Sequence, residues 1–214
     1  MSVGERNIEE PRPRRGSKRR MAAAGGRMST IVQPAFLKAD APLTFTPRVA
    51  PDHRVDGFRI EKQITFDLCW AAVAVSAGRF RGVAGVPKQS AMVDAYIASN
   101  LQDCPCSARP GDNGLLLWCV DCACQLVRTR CTQLGSAPGF DALCTTLDAQ
   151  SPVCVLRDYS TGAHYVVIVG SFVSSAGVKM VTIADPARGQ PDERDIAYRE
   201  LFEGDGKVIA AYRL

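Results

Sequence analysis

The sequence predicts an α+β domain of two lobes, helical first and antiparallel β second, and three observations carry that expectation. Helix-type apolar patterning dominates from Leu68 to Ala149, β-type runs dominate from Val153 to Arg213, and turn residues separate those runs at short spacing. With 214 residues and 46% apolar content, the chain can bury one ordinary core.

Residues 1–30 form a basic leader. Positions 1–28 hold eight Lys/Arg against three acids, net +5, which leaves the remaining residues at −1. The run Pro11-Arg-Pro-Arg-Arg-Gly-Ser-Lys-Arg-Arg20 has too little apolar surface to offset the entropy of ordering, so disorder is expected there. Such a tail reads as a solvated leader, as an over-long start ahead of Met21 or Met28, or as an electrostatic address for an anionic partner. A nearly neutral body argues against nucleic-acid binding by the folded domain. No secretory apolar segment follows the basic run, and nothing approaches the ~18 apolar residues of a membrane span. A soluble protein is expected, cytoplasmic or exported by a non-classical route.

Residues 31–54 read as an extended lead-in punctuated by proline, and 55–214 as the folded domain. From Leu68 to about Phe80 apolar side chains point in every direction, the pattern of a helix buried all round. A second helix is expected from Ser90, an acceptable N-cap, to Leu101. After the turn-rich stretch from Gln102 to Asp112, a third should run from Asn113 to about Arg128, and a short fourth from Phe140 to Ala149. Strands are expected at Val153 to Leu156, His164 to Val169, Val178 to Ala184 and Val208 to Arg213.

Four residues stand out because each falls at the end of an element. Cys69 opens the buried helix, where the positive end of the helix and an imidazolium partner would both lower a thiol pKa. His164 heads a buried strand and is one of only two histidines; the other, His53, lies in the proline-rich lead-in. Asp185, just before Pro186 at the end of the next strand, could hold the imidazole and select its tautomer. Gln63, six residues before Cys69, could aim its amide at a developing oxyanion beside the Cys69 backbone N–H. Taken singly, each has an ordinary packing or turn explanation; the ordered set has the parts a cysteine hydrolase requires.

That set, Gln63-x5-Cys69-Trp-Ala-Ala72 with Ala163-His-Tyr-Val-Val-Ile-Val-Gly170 and Ile183-Ala-Asp-Pro186, resembles the bacterial papain-like cysteine proteases. The likeness is strongest to the AvrRpt2-type effector proteases, with the C39 bacteriocin-processing peptidases as structural cousins, and it covers about Val55 to Leu214 apart from 85–135. It implies a papain-like fold and peptide or protein substrates, with Cys69 as nucleophile, His164 as base, Asp185 as orienter, Gln63 as oxyanion donor and no cofactor. Departures from papain itself are Phe66 where plant enzymes carry a cysteine, Asp185 in place of Asn, and a Cys69 to His164 spacing of 95 residues, shorter than the ~130–150 of papain and cathepsins. Two other classes use the same parts: an acyltransferase of transglutaminase type, in which an amine resolves the thioester, and a catalytically silent peptide-binding domain.

Nine cysteines is an odd number, so complete pairing leaves one thiol over, and Cys69 is the candidate. Cys104, Cys106, Cys119, Cys122, Cys124 and Cys131 could supply four thiolates to Zn²⁺. Cys122 and Cys124 face different sides of their helix, so packing, or a disulfide from the Cys104 loop to that helix, is preferred and no metal is expected.

Overall fold

A computed structural model describes residues 48–99, 119–135, 137–159, 162–204 and 206–214. The leader, the lead-in up to residue 47 and the turn-rich stretch 102–112 lie outside the described residues, as do residues 113–118 of the third expected helix. Among the described residues seven strands and five helices follow in the order β1 (Arg48–Arg54), α1 (Cys69–Phe80), α2 (Gln89–Ala98), α3 (Val120–Leu126), β2 (Thr132–Gly135), α4 (Phe140–Asp148), β3 (Val153–Tyr159), β4 (Gly162–Ser174), β5 (Lys179–Ala184), β6 (Glu193–Ala197), α5 (Tyr198–Glu203) and β7 (Lys207–Arg213).

The strands form one antiparallel sheet in the order β2-β7-β3-β4-β5-β6, with β1 paired to β4. The molecule is therefore mixed helix and antiparallel sheet. Strand β4 is its axis. Its first half pairs with β3, from Gly162 opposite Tyr159 to Ile168 opposite Val153, and its second half pairs with β1, up to Ser174 opposite Arg48. The exchange of partner falls at Gly170, where the β4–β5 register also shifts. A Cβ on Gly170 would sit 3.1 Å from Thr182 Oγ1 and 3.5 Å from the His53 carbonyl, so glycine lets both neighbouring strands close on β4. Gly170 thus continues the strand instead of ending it, and β4 is thirteen residues long where the sequence suggests six.

Helix α1 is buried from Cys69 to Gly78 and packs against α2, α3 and β4. Trp70 meets Tyr96 of α2 edge to face at 5.4 Å, which anchors the start of α1. At the other end, a Cβ on Gly78 would lie 3.0 Å from Val86 and 3.2 Å from Val127, so the absence of a side chain lets the segment after α3 close on the helix.

Three elements have no counterpart in the sequence reading. Strands β2 and β6 are edge strands of four and five residues, and β6, Glu-Arg-Asp-Ile-Ala, buries only Ile196. Charge and brevity are what edge strands carry to discourage pairing with other chains, so neither shows period-two alternation. Helix α5, six residues, is too short to show a helical period. Within the stretch read as a lead-in, β1 is part of the sheet, and His53 Nδ1 meets Asp148 Oδ1 at the end of α4 at 2.8 Å. No helix among the described residues is long and apolar enough to cross a membrane.

Candidate active site

The sheet and the buried helix bring three of the four candidate residues together. His164, on β4, lies beside β5, and Asp185 follows the last residue of β5, Ala184, which pairs with Val167. The His164 Nε2–H donates to Asp185 Oδ1 at 2.8 Å. Because an ionised carboxylate can only accept, this bond fixes the proton on Nε2 and leaves Nδ1 as the ring nitrogen available to Cys69, whose side chain hydrogen-bonds the same ring. All three are buried: Cys69 is 3% exposed, His164 2% and Asp185 0%.

Electrostatics follow from that packing. Burial works against a charged imidazole, but hydrogen bonds to Asp185 and Cys69, and the charges of both, outweigh it and lift the His164 pKa from 6.5 to about 10. Burial opposes ionisation of Asp185 as well; the bond and charge of His164, the Ala187 N–H at 2.9 Å and the Arg194 guanidinium together hold its carboxyl below the usual range. Arg194 Nη2 stands 3.9 Å from Asp185 Oδ2 without a hydrogen bond between them. The arrangement favours imidazolium beside sulfur at neutral pH. Burial, then the charges of Cys69 and Cys119, push the Cys154 thiol well above the ordinary value.

Cys69 is the first residue of α1, after the N-cap Leu68, and the first turn holds no acid to offset the positive end of the helix. The first N–H groups of any helix lack partners inside it, so the backbone around Cys69 is oriented to receive negative charge next to the sulfur.

Gln63 is placed differently. It is 5% exposed, and its side chain makes no hydrogen bond to the other three; Nε2 donates to the Phe66 carbonyl at 2.9 Å, and Oε1 is buried without a partner. Its backbone, however, is attached to the turn after Asp185: the Gln63 N–H donates to the Pro186 carbonyl at 2.8 Å, and Arg188 Nε donates to the Gln63 carbonyl at 2.9 Å. The segment around it is held from behind by Gln89, whose Oε1 accepts the Ile64 N–H and whose Nε2 donates to Glu61 Oε1 and the Lys62 carbonyl. Ser76 of α1 accepts the Glu61 N–H at 2.8 Å. The amide is thus fixed between the start of α1 and the Asp185 turn, with a second N–H on Nε2 not engaged by Phe66.

Lys62, Gln89, Arg188 and Arg194 had no signal in the sequence reading. Lys62, Gln89 and Arg188 act on main-chain groups 25 or more residues away and Arg194 on a charge across a turn, and no local pattern reports such contacts.

Among the cysteines, Cys124 closes a disulfide with Cys131 across a Cα–Cα distance of 6.3 Å, and Cys122 is disulfide-bonded as well. The Cys124 sulfur is therefore committed to α3's own neighbour, not to zinc; Cys104 and Cys106 lie outside the described residues. Cys69, Cys119, Cys144 and Cys154 are free and buried. No group of three His, Cys, Asp or Glu among the described residues is arranged to hold a metal ion.

No protein-family model matches the chain, and no curated protein matches it either.

Proposed function

We propose that this chain is a cysteine peptidase of papain-like, two-lobe architecture that cleaves peptide bonds through Cys69, His164 and Asp185. One observation carries the reading: a single buried imidazole is bonded on one side to a carboxylate and on the other to a cysteine at the start of a helix. A structural histidine needs one polar partner; this ring has an acid to orient it and a nucleophile to activate.

Sulfur of Cys69, paired with the imidazolium, attacks the peptide carbonyl carbon, and the negative charge passes to the carbonyl oxygen. Backbone N–H at Cys69 and the second N–H of Gln63 Nε2 are the donors offered to that oxygen. Collapse breaks the C–N bond while His164 Nδ1–H protonates the leaving amine, giving a thioester on Cys69. Water then attacks the thioester, its proton goes to His164, and the acid departs as the thiolate–imidazolium pair re-forms. Asp185 keeps Nε2 protonated throughout, and Arg194 favours the charged carboxylate.

Incubation of a diverse peptide library with wild type and with Cys69→Ala, read by mass spectrometry, tests the reading. Cleavage products are expected with wild type only. Equal products from both proteins, or none from wild type across the library, would reject it.

A further inference from the structure

Lys62, the residue before Gln63, is a cation beside the proposed machinery that the cycle does not use. Its ammonium donates to three main-chain carbonyls, Asp185 O at 2.9 Å, Gln190 O at 2.9 Å and Pro191 O at 3.2 Å, and Asp192 Oδ1 lies 3.4 Å away. An ammonium has three N–H donors, so all are engaged by one turn. A surface lysine ordinarily meets a carboxylate at little energetic benefit. Here the turn between β5 and β6 curls around Nζ, with Gly189 at φ +80 allowing the reversal. Carbonyls in such a turn cannot be satisfied by the sheet ladder, and Asp185 is fully buried, so the lysine serves the partner role that strand neighbours serve elsewhere.

We infer that Lys62 is a positioning residue that joins the Asp185 turn to the segment carrying Gln63, so that orienter and oxyanion donor hold one fixed relation to Cys69. Five hydrogen bonds make this junction: the three from Lys62, the Gln63 N–H to Pro186 O, and Arg188 to Gln63 O. Lys62 contributes most of them while touching neither the sulfur nor the imidazole. Without it, the carbonyl of Asp185 loses a bond at the residue whose carboxylate directs His164, and the turn is released from Gln63 along one side. Misplacement by about 1 Å at a catalytic group costs on the order of 10²-fold in rate, so the effect should fall on kcat.

The inference rests on the peptidase reading, and the test separates the two. Lys62→Met keeps the aliphatic stem and removes the donors; Lys62→Gln retains two. For peptide cleavage, Lys62→Met should lower kcat roughly 10- to 100-fold with KM within about two-fold, and Lys62→Gln should fall between it and wild type. In an Asp185→Asn background, adding Lys62→Met should cost less than about three-fold more, because both changes disable the same unit. The rate of Cys69 alkylation by iodoacetamide at neutral pH, which needs no peptide, should fall several-fold in Lys62→Met. Should Lys62→Met not fold, the Lys62→Gln rates carry the same comparison. A wild type that cuts no peptide, with alkylation still slowed in the lysine variants, refutes the peptidase reading and leaves the positioning role standing. Normal cleavage and alkylation by the lysine variants, or a full multiplicative loss in the Asp185→Asn background, overturns the positioning role and leaves the peptidase reading standing.

Discussion

In the proposed mechanism His164 is the residue on which the chemistry turns, because it bonds both a carboxylate and a thiol. Asp185 accepts the hydrogen bond of the Nε2–H and Cys69 bonds the same ring, and the resulting pKa of about 10 keeps the ring charged well past neutrality. The sign of the pH dependence follows. A raised imidazole pKa means that the proton needed by the leaving amine is present at low and neutral pH and is lost as pH rises through about 10. The alkaline limb of kcat/KM should therefore lie far above the 6.5 of an ordinary imidazole. Asp185→Asn removes the charge and leaves only a neutral amide oxygen facing the ring, so that limb should move down by roughly one unit or more, and kcat should fall by about two to three orders of magnitude. A pH–rate profile checks both; an unmoved limb would show that Asp185 does not tune the ring. If Gln63 is the oxyanion donor proposed, Gln63→Ala should also cost about two to three orders of magnitude in kcat, as measured by steady-state kinetics.

Among the elements, the end of β3 and the start of β7 are joined by a buried arginine. Arg157, opposite His164 in the sheet, is 1% exposed, donates through Nε to the Gly206 carbonyl at 3.1 Å and stacks over Tyr159 with its guanidinium carbon 5.0 Å from the ring centre. Gly206 has φ +88, and a Cβ there would fall 2.4 Å from the Tyr159 ring. Gly206→Ala should accordingly destabilise the fold by about 1–3 kcal/mol through backbone strain and displacement of the ring, measurable by denaturant unfolding. The Cys124–Cys131 disulfide closes a loop with a separation of seven residues between the end of α3 and β2. Replacing Cys131 with serine should lower stability by roughly 2–3 kcal/mol in the chain-entropy picture. Peptide cleavage should persist in that variant below its melting temperature, since neither cysteine touches His164. Loss of cleavage with the fold intact would place the disulfide inside the active machinery.

Over the whole molecule, residues 69, 164 and 185 are gathered from the start of a helix, the first residues of a long strand and the turn beyond its neighbour. What the sequence made legible was whatever depends on local pattern. Cys69 at the head of an apolar run marks the start of α1, Asp185 before a proline marks the end of β5, His164 at the head of a Val/Ile run falls just inside β4, which begins at Gly162, and burial of α1 all round follows from an Ala/Val run without polar faces. Illegible were features set by distant partners. Gly170 reads as a stop until β1 and β5 are seen to close over it, β6 reads as a charged loop because an edge strand buries one residue, and Lys62 reads as an ordinary surface charge until a remote turn wraps around it. The same distinction separates the three bonded residues from Gln63, whose side chain is bound to Phe66 and whose place beside the site is set by backbone contacts to the Asp185 turn. The most direct measurement is the intact mass of the protein after acid-quenching a cleavage reaction in progress. A hydroxylamine-labile adduct on Cys69 equal in mass to the acyl half of the peptide is expected, absent in Cys69→Ala; cleavage that proceeds at the same rate in Cys69→Ala, with no adduct on the wild type, would contradict it.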